Sequence, residues 1–221
     1  MAATKAKKTP KIDRKEIVSR FMHYTLEHDG YPISVYKFCK EAKIKEEIFY
    51  QYYGNIERVK QGVWELFFTN TIDLMNANKE FHDFSSREKM LTYFYTFFEL
   101  LTLNRSYVLL TLSHHDQPLK NMEQLKTIRK QIKSFAADLI EDDNQEKQFS
   151  IIKNPVSIFS EGAWLQLLFL INFWRKDNSA NFEKTDVAIE KSVNTIFDVF
   201  DNTPLSNVLD FGKFLWRQRA M

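Results

Sequence analysis

Residues 33–57 read ISVYKFCKEAKIKEEIFYQYYGNIE, and this stretch predicts two short helices around a tight turn, followed by the start of a third helix. Ser34 is a favoured N-cap, because its hydroxyl can accept a hydrogen bond from a free backbone N–H in the first turn. Val35, Phe38 and Cys39 then follow at i, i+3 and i+4, the spacing of one buried helical face. The first of the two helices is therefore expected directly after Ser34.

A second short helix is expected after the turn. Ile48, Phe49 and Tyr52 form its apolar face, and Asn55 can cap the helix that follows. Ala42 supplies a small residue where the two helices cross. Two short helices with this spacing are typical of a helix-turn-helix, whose second helix enters the major groove of DNA.

The stretch also carries a family pattern: a small polar residue, a hydrophobic pair, an alanine near the turn and then a run of aromatic residues. The matching positions are Ser34, Val35, Phe38, Ala42, Ile44, Phe49, Tyr50, Gln51, Tyr52 and Tyr53, with Asn55 and Glu57 opening the next helix. In these residues the first quarter of the chain resembles the DNA-binding end of the tetracycline-repressor (TetR) family. The resemblance implies that Tyr50 and Asn55 contact DNA phosphates.

The chain departs from that pattern in the turn and at the start of the second helix. Lys43 occupies the turn, where the family usually has glycine, and Glu46 and Glu47 stand where the family usually has small polar residues. DNA phosphates repel two adjacent carboxylates, whereas they attract the lysines around the turn. The candidate DNA-binding residues are Ser34, Lys43, Lys45, Glu46, Tyr50, Gln51 and Asn55.

The composition favours long helices around an aromatic interior. The chain has 221 residues, with 20 Phe, 9 Tyr and 4 Trp but five Gly and five Pro. Its net charge of +2 is near neutral, so any DNA binding must come from local charge. A single cysteine, the lack of a secretory segment and the lack of an apolar run of roughly 18 residues predict a soluble cytoplasmic protein without stable membrane insertion.

The helical periodicity predicts an all-α fold in three segments. Residues 1–11 form a flexible basic arm that can follow the DNA backbone or enter the minor groove. Residues 12–56 form a three-helix DNA-binding domain with the helix-turn-helix. Residues 57–221 form a helical ligand-binding and dimerisation domain. A long helix over 56–82 joins this domain to the DNA-binding domain, and the last helix of the chain, after Pro204, is basic and amphipathic.

The C-terminal half carries a second pattern, in which Phe173, Trp174, Asp177 and Ser179 precede the segment Glu183-Lys184-Thr185-Asp186. In these motifs the chain is similar to the ligand domains of TetR regulators from Bacteroidetes-type bacteria. It also resembles, more weakly, the TetR-like lipid-binding proteins of coenzyme Q biosynthesis. We expect the motifs to determine helix ends and a packing interface, because they contain no catalytic constellation.

The main functional hypothesis is a dimeric, ligand-responsive repressor that binds a palindromic operator in double-stranded DNA. Two chains pair through the helices near 155–176 and 182–200 in a four-helix interface, and their heads reach major grooves about 34–36 Å apart or more. A small apolar ligand in the C-terminal domain moves the long helix and so changes the spacing of the heads. The candidate ligand-binding residues are Phe94, Tyr95, Phe98, Tyr107, Trp164 and Phe169, which a packed core would equally require.

The alternative hypothesis is a lipid- or isoprenoid-binding accessory protein that keeps the fold and has lost DNA binding. Its support is the Glu46-Glu47 pair, the second resemblance and the basic last helix, which could also lie on a membrane surface. The sequence has no phosphate-binding loop, dinucleotide fingerprint or cysteine pair, so we expect neither an enzyme nor a cofactor. His114 and His115 are adjacent and point in different directions on a helix, which argues against a metal site.

Overall fold

The computed structural model of the chain describes residues 12–113, 118–146 and 156–202. Within these ranges the regular structure is helical and contains no β-strand, which confirms the all-α prediction. The helices are α1 Arg14–Glu27, α2 Val35–Glu41, α3 Glu46–Tyr52, α4 Ile56–Ala77, α5 Ser86–Leu103, α6 Arg105–Leu112, α7 Pro118–Met122, α8 Lys126–Glu146, α9 Val156–Lys176 and α10 Glu183–Asn202. The predicted basic arm, the segment His114–Asp116 and the helix predicted after Pro204 lie outside the described residues.

Side-chain caps start the helices where the sequence predicts them. The backbone N–H of Glu16 donates to the carboxylate of Asp13 at 2.9 Å, which caps α1. Ser85 and Glu88 form the predicted capping box of α5, because the Glu88 carboxylate accepts from both the backbone N–H and the hydroxyl of Ser85 at 2.8 and 2.7 Å. The long helix α4 is shorter than predicted, since Asn78 leaves the helical conformation and caps a short 3-10 helix, Lys79–Asp83.

The described residues pack into two compact units. One unit comprises the described parts of Met1–Leu66 and Asn104–Lys126, and the other those of Phe67–Leu103 and Thr127–Met221. The sequence-based division placed all of 57–221 in one domain, whereas the packing assigns α6 and α7 to the unit that contains the helix-turn-helix. The physical reason is burial, because α6 packs against α1 and hides Tyr107, Val108 and Thr111.

An aromatic core joins the first three helices in the first unit. Phe21, Phe38 and Phe49 come from α1, α2 and α3 respectively, and each is completely buried. Edge-to-face contacts link Phe21 to Phe38 at 5.6 Å and Phe38 to Phe49 at 6.0 Å between ring centroids. This geometry is the favoured one for aromatic pairs, so the core holds α2 and α3 at a defined angle.

The core of the second unit consists of α5, α9 and α10, with α10 packed against both of the others. Phe97 and Trp174 are completely buried, and the indole N–H of Trp174 donates to the hydroxyl of Thr102 at 3.0 Å. Helix α9 is long and apolar enough to cross a membrane by length and composition alone. Its buried residues include Leu167 and Leu170, and this burial is typical of a core helix in a folded unit.

The Asp177 carboxylate organises the connection between α9 and α10. One of its oxygens accepts from the backbone N–H and hydroxyl of Ser179 at 2.8 and 2.6 Å, and the other accepts from those of Thr185 at 2.9 and 2.7 Å. Burial alone raises the pKa of Asp177, but the hydrogen bonds from Ser179 and Thr185 outweigh burial and hold the pKa well below its usual value. The motifs with Asp177 and Thr185 therefore determine helix ends, as predicted.

Candidate nucleic-acid interface

The turn between α2 and α3 has the conformation that a helix-turn-helix requires. Ser34 caps α2 as predicted, since its hydroxyl accepts from the backbone N–H of Lys37 at 3.2 Å. After α2 the chain reverses through Lys43, whose φ of 54° lies in the left-handed region, and the N–H of Ile44 donates to the carbonyl of Cys39 at 2.9 Å. Glycine adopts this conformation most readily, which explains why a glycine is the usual residue at this position.

Helix α3 is anchored to its neighbours by Arg14 and Tyr53. The guanidinium of Arg14 donates to the Tyr53 hydroxyl at 3.1 Å and forms two hydrogen bonds with the Glu65 carboxylate at 3.0 and 2.7 Å. The Tyr53 ring lies so close to α4 that a Cβ atom at Gly62 would come within 2.6 Å of the Tyr53 hydroxyl oxygen. Glycine at position 62 thus allows the ring to pack against the helix backbone.

The anchoring leaves one face of α3 exposed to solvent. Tyr50 is 53% exposed, and Gln51 on the same face is also exposed. Lys43 and Lys45, which precede α3, are exposed as well. The Tyr50 ring packs edge-to-face against buried Phe49, with 5.4 Å between ring centroids, while about half of the residue's surface remains exposed. This arrangement suits hydrogen bonding to phosphates by Tyr50 and the lysines.

Glu46 and Glu47 differ in their surroundings although they are adjacent. Glu46 is half-buried, and it contributes to the raised pKa of Cys39, which burial and then the negative charge of Glu46 bring to about 11. Glu47 is exposed. Neither carboxylate forms an ion pair with another residue in the described ranges. The start of α3 therefore presents one exposed acidic residue, Glu47, beside the half-buried Glu46.

Asn55 has a structural role in addition to the contact that the sequence predicts for it. Its side-chain oxygen accepts from the backbone N–H of Arg58 at 2.9 Å, which caps the exposed start of α4. Tyr36, on α2 of the same unit, is 59% exposed, and the predicted DNA-binding residues do not include it. The exposure of Tyr36 could have been predicted from its position. It lies two residues after the capping Ser34, and it is not on the face of α2 that buries Phe38 and Cys39.

The structure places the six candidate ligand-binding residues in different surroundings. Phe94 and Phe98 are buried in the core of the second unit, where Phe98 packs against Trp174 with 6.2 Å between ring centroids. Trp164 is 8% exposed on α9. Tyr95 faces outward and is 37% exposed. The buried members thus contribute to an aromatic core, and the exposed ones do not join them.

Tyr107 and Phe169 have other surroundings. Tyr107 belongs to the first unit, and Phe169 lies on the outer face of α9 with 51% of its surface exposed. The hydroxyls of Tyr107 and of Tyr93 in α5 are buried without a hydrogen-bond partner among the described residues, and burial raises the pKa of both. A buried hydroxyl without a hydrogen-bond partner is uncommon in folded proteins. Tyr93 is therefore a candidate site residue that the sequence alone does not indicate.

An apolar groove runs between α9 and α10 on the surface of the second unit. Its volume is about 890 Å³, and its lining includes Leu165, Phe169 and Val187, which are 63%, 51% and 47% exposed. Gln166 and Ser192 tie the two helices together through a hydrogen bond of 2.9 Å from the amide to the hydroxyl. So much exposed apolar surface on two adjacent helices is typical of an interface.

The comparisons with known proteins identify the family. Residues 89–215, more than half of the chain, match the model of the tetracyclin repressor-like C-terminal domain. The chain belongs to the TetR family. A crystal structure from Syntrophomonas wolfei str. Goettingen, of a protein assigned to the TetR-family transcriptional regulators, has the same fold. The two sequences are 15% identical, and the superposition has a TM-score of 0.64. The match covers 86% of this chain and 95% of the chain from S. wolfei. No curated protein matches the chain.

This TetR-family chain also contains a buried polar network that sequence reasoning missed. The amide oxygen of Gln124 accepts from the indole N–H of Trp64 at 2.9 Å and from the Tyr31 hydroxyl at 3.3 Å. Its amide nitrogen donates to the backbone carbonyls of Thr111 and Asn121 at 3.1 and 2.9 Å. The Gln124 side chain therefore connects α4, the loop before α2, and the segment from α6 to α7 within one unit.

Proposed function

We propose that the chain is a dimeric TetR-family repressor that binds palindromic operator DNA and is released from it by a small, mostly apolar ligand. The observation that carries the proposal is the solvent-exposed face of α3, with Tyr50 and Gln51 held outward and Lys43 and Lys45 beside them. The capped turn and the buried anchor at Tyr53 support it, because a reading helix must be held rigidly.

Dimerisation is supported by the groove between α9 and α10. A two-fold axis through this surface would place Leu165 and Phe169 against their counterparts in a second copy and form a four-helix interface. A Cβ atom at Gly162 would have no neighbour within 4 Å among the described residues, so the groove floor is open to another chain. A palindromic operator then follows from the symmetry of the dimer.

The ligand site is proposed within the aromatic core of the second unit. The hydroxyl of Tyr93 supports this location, because it is buried beside Phe68, Phe97 and Phe135 and lacks a partner there. A ligand that is largely apolar and carries one hydrogen-bond acceptor would satisfy this hydroxyl. Helix α4 contributes residues to both units, so displacement of its second half would be transmitted along one continuous helix.

The test measures binding of the purified protein to genomic DNA fragments, including its own promoter region, at low and moderate salt. Lys45→Ala should lower the affinity for every fragment and reduce the salt slope by about one, because one phosphate contact is lost. Lys130→Ala is the matched control, since Lys130 is an exposed lysine of α8 in the second unit. Equal losses from both substitutions would show that general charge, rather than the proposed surface, binds DNA.

A lipid- or isoprenoid-binding accessory protein is the second candidate function. The observation that favours it is the exposed carboxylate of Glu47 at the start of α3, where phosphates would repel it. On this alternative the purified protein binds no fragment at low salt and carries lipid in its second unit. Mass spectrometry of a solvent extract of the purified protein, run beside the binding assay, separates the two functions.

A further inference from the structure

Three residues of α3 share the exposed face that would enter the major groove. Glu47, Tyr50 and Gln51 stand at i, i+3 and i+4, the spacing of neighbours on one helical surface, and all three are exposed. Phe49 lies on the opposite face and is completely buried. The aromatic core around Phe49 therefore determines which side of the helix is presented, and Glu47 and Gln51 are one turn apart on that side.

The geometry points to Glu47 as a specificity-determining residue that accepts a hydrogen bond from a cytosine of the operator, with Gln51 contacting an adenine nearby. This inference rests on the proposed DNA-binding function and names the bases that the function requires. Glu47 is suited to the role because its carboxylate is exposed and forms no ion pair with another residue in the described part of the chain.

The chemistry of the groove selects the base. An ionised carboxylate has acceptors only, and the major-groove donors of the four base pairs are the amino groups of cytosine and adenine. The adenine amino group stands beside N7, an acceptor that repels a carboxylate, whereas a glutamine amide satisfies both adenine atoms at once. Glu47 thus favours cytosine and Gln51 favours adenine.

The charge of Glu47 also affects sequences that lack the cytosine. On such DNA the carboxylate would lose water without gaining a donor, and the phosphates would repel it. Lys43 and Lys45 precede α3 and are exposed, so the phosphates attract them while they repel Glu47. Glu47 would therefore raise the ratio of specific to non-specific affinity mainly by weakening the non-specific binding.

The test is selection from a pool of randomised DNA duplexes, followed by sequencing, with four proteins at one salt concentration. They are the wild type, Glu47→Ala, Glu47→Gln and Glu46→Gln. The last is the matched control, because it removes the same charge from the adjacent, half-buried residue that lies near Cys39. Circular dichroism checks that all four proteins remain helical.

The wild type should enrich a palindrome with cytosine at one fixed position of each half-site. Glu47→Ala should lose this preference, which corresponds to a decrease in discrimination of about 5- to 150-fold, and Glu47→Gln should move it towards adenine. Glu46→Gln should keep cytosine. If Glu47→Ala and Glu47→Gln select the same bases as the wild type, the assignment of Glu47 is overturned while operator binding stands. If the wild type enriches no sequence, operator binding itself fails and the assignment fails with it.

Discussion

Removing the exposed apolar side chains of the α9–α10 groove should dissociate the proposed dimer. The perturbation is the double substitution Leu165→Ala and Phe169→Ala. Complete burial of a leucine or phenylalanine side chain contributes about 1.5–3 kcal/mol. Since 63% of Leu165 and 51% of Phe169 are still exposed, burial in a dimer would add about 1–1.5 kcal/mol for each.

The symmetry of the proposed dimer multiplies this effect. Each side chain occurs twice in a two-fold interface, so the double variant should lose about 4–6 kcal/mol of association free energy. The dissociation constant of the dimer should then rise by about three to four orders of magnitude. Sedimentation velocity over a range of protein concentrations measures this constant directly.

Two further variants make the experiment decisive. Leu103→Ala is the matched control, because Leu103 is 75% exposed at the end of α5 and does not line the groove. Gly162→Glu places a charge at the floor of the groove, where a Cβ atom would have no neighbour within 4 Å among the described residues, and should also weaken the proposed dimer. If the Leu165→Ala, Phe169→Ala double variant dimerises as tightly as the wild type, the α9–α10 groove is not the dimer interface. Equal weakening by Leu103→Ala would also contradict this interface.

Four other substitutions have defined outcomes. Tyr50→Ala should weaken operator binding about 3- to 10-fold in a fluorescence anisotropy titration while the melting temperature stays the same, because the side chain is half exposed; unchanged affinity would remove Tyr50 from the interface. Lys43→Gly should stabilise the fold by about 0.5–1 kcal/mol in urea titrations, since glycine adopts the left-handed φ of 54° without strain. The same substitution should weaken DNA binding, because it removes a positive charge. A loss of stability would contradict the strain at Lys43. Gln124→Leu should destabilise the first unit by about 2–4 kcal/mol in the same titrations, because the buried hydrogen bonds of Gln124 with the Trp64 indole and the Tyr31 hydroxyl are lost. Unchanged stability would show that the network is dispensable. Asp177→Asn should destabilise the fold by about 2–4 kcal/mol at neutral pH, because Asp177 contributes stability that is present above about pH 4 and is lost as the pH falls towards its depressed pKa in the folded state. The variant should therefore lose less stability than the wild type on acidification, while Glu88 and Glu161 keep their own contributions; identical pH profiles would contradict this role of Asp177.

The helix-turn-helix could be predicted because its determinants are local. Ser34, Asp13 and Asn55 each cap a helix through a hydrogen bond to a backbone N–H three residues further on. The turn also depends on nearby residues, and the left-handed φ of Lys43 agrees with the glycine that the family pattern has there. Short-range patterns of this kind need no knowledge of the tertiary structure.

The packing of α6 and α7 could not be predicted in the same way. It depends on Gln124, whose amide meets the Trp64 indole across a long separation in the chain, and a single polar residue gives no sign of such a partner. The surroundings of the predicted ligand-binding residues could not be predicted for a related reason. Phe94 and Phe169 are equally apolar in the sequence, yet one is buried and the other lies on the surface groove, and only the tertiary structure distinguishes a core from an interface.

The central claim is that this TetR-family chain binds operator DNA through the exposed face of α3. The decisive measurement is footprinting of the purified protein on its own promoter region at low and at moderate salt. We expect a protected palindrome whose affinity falls linearly with salt on a logarithmic scale, with a slope that corresponds to several phosphate contacts. An unprotected promoter at low salt, together with lipid retained in the purified protein, would contradict it.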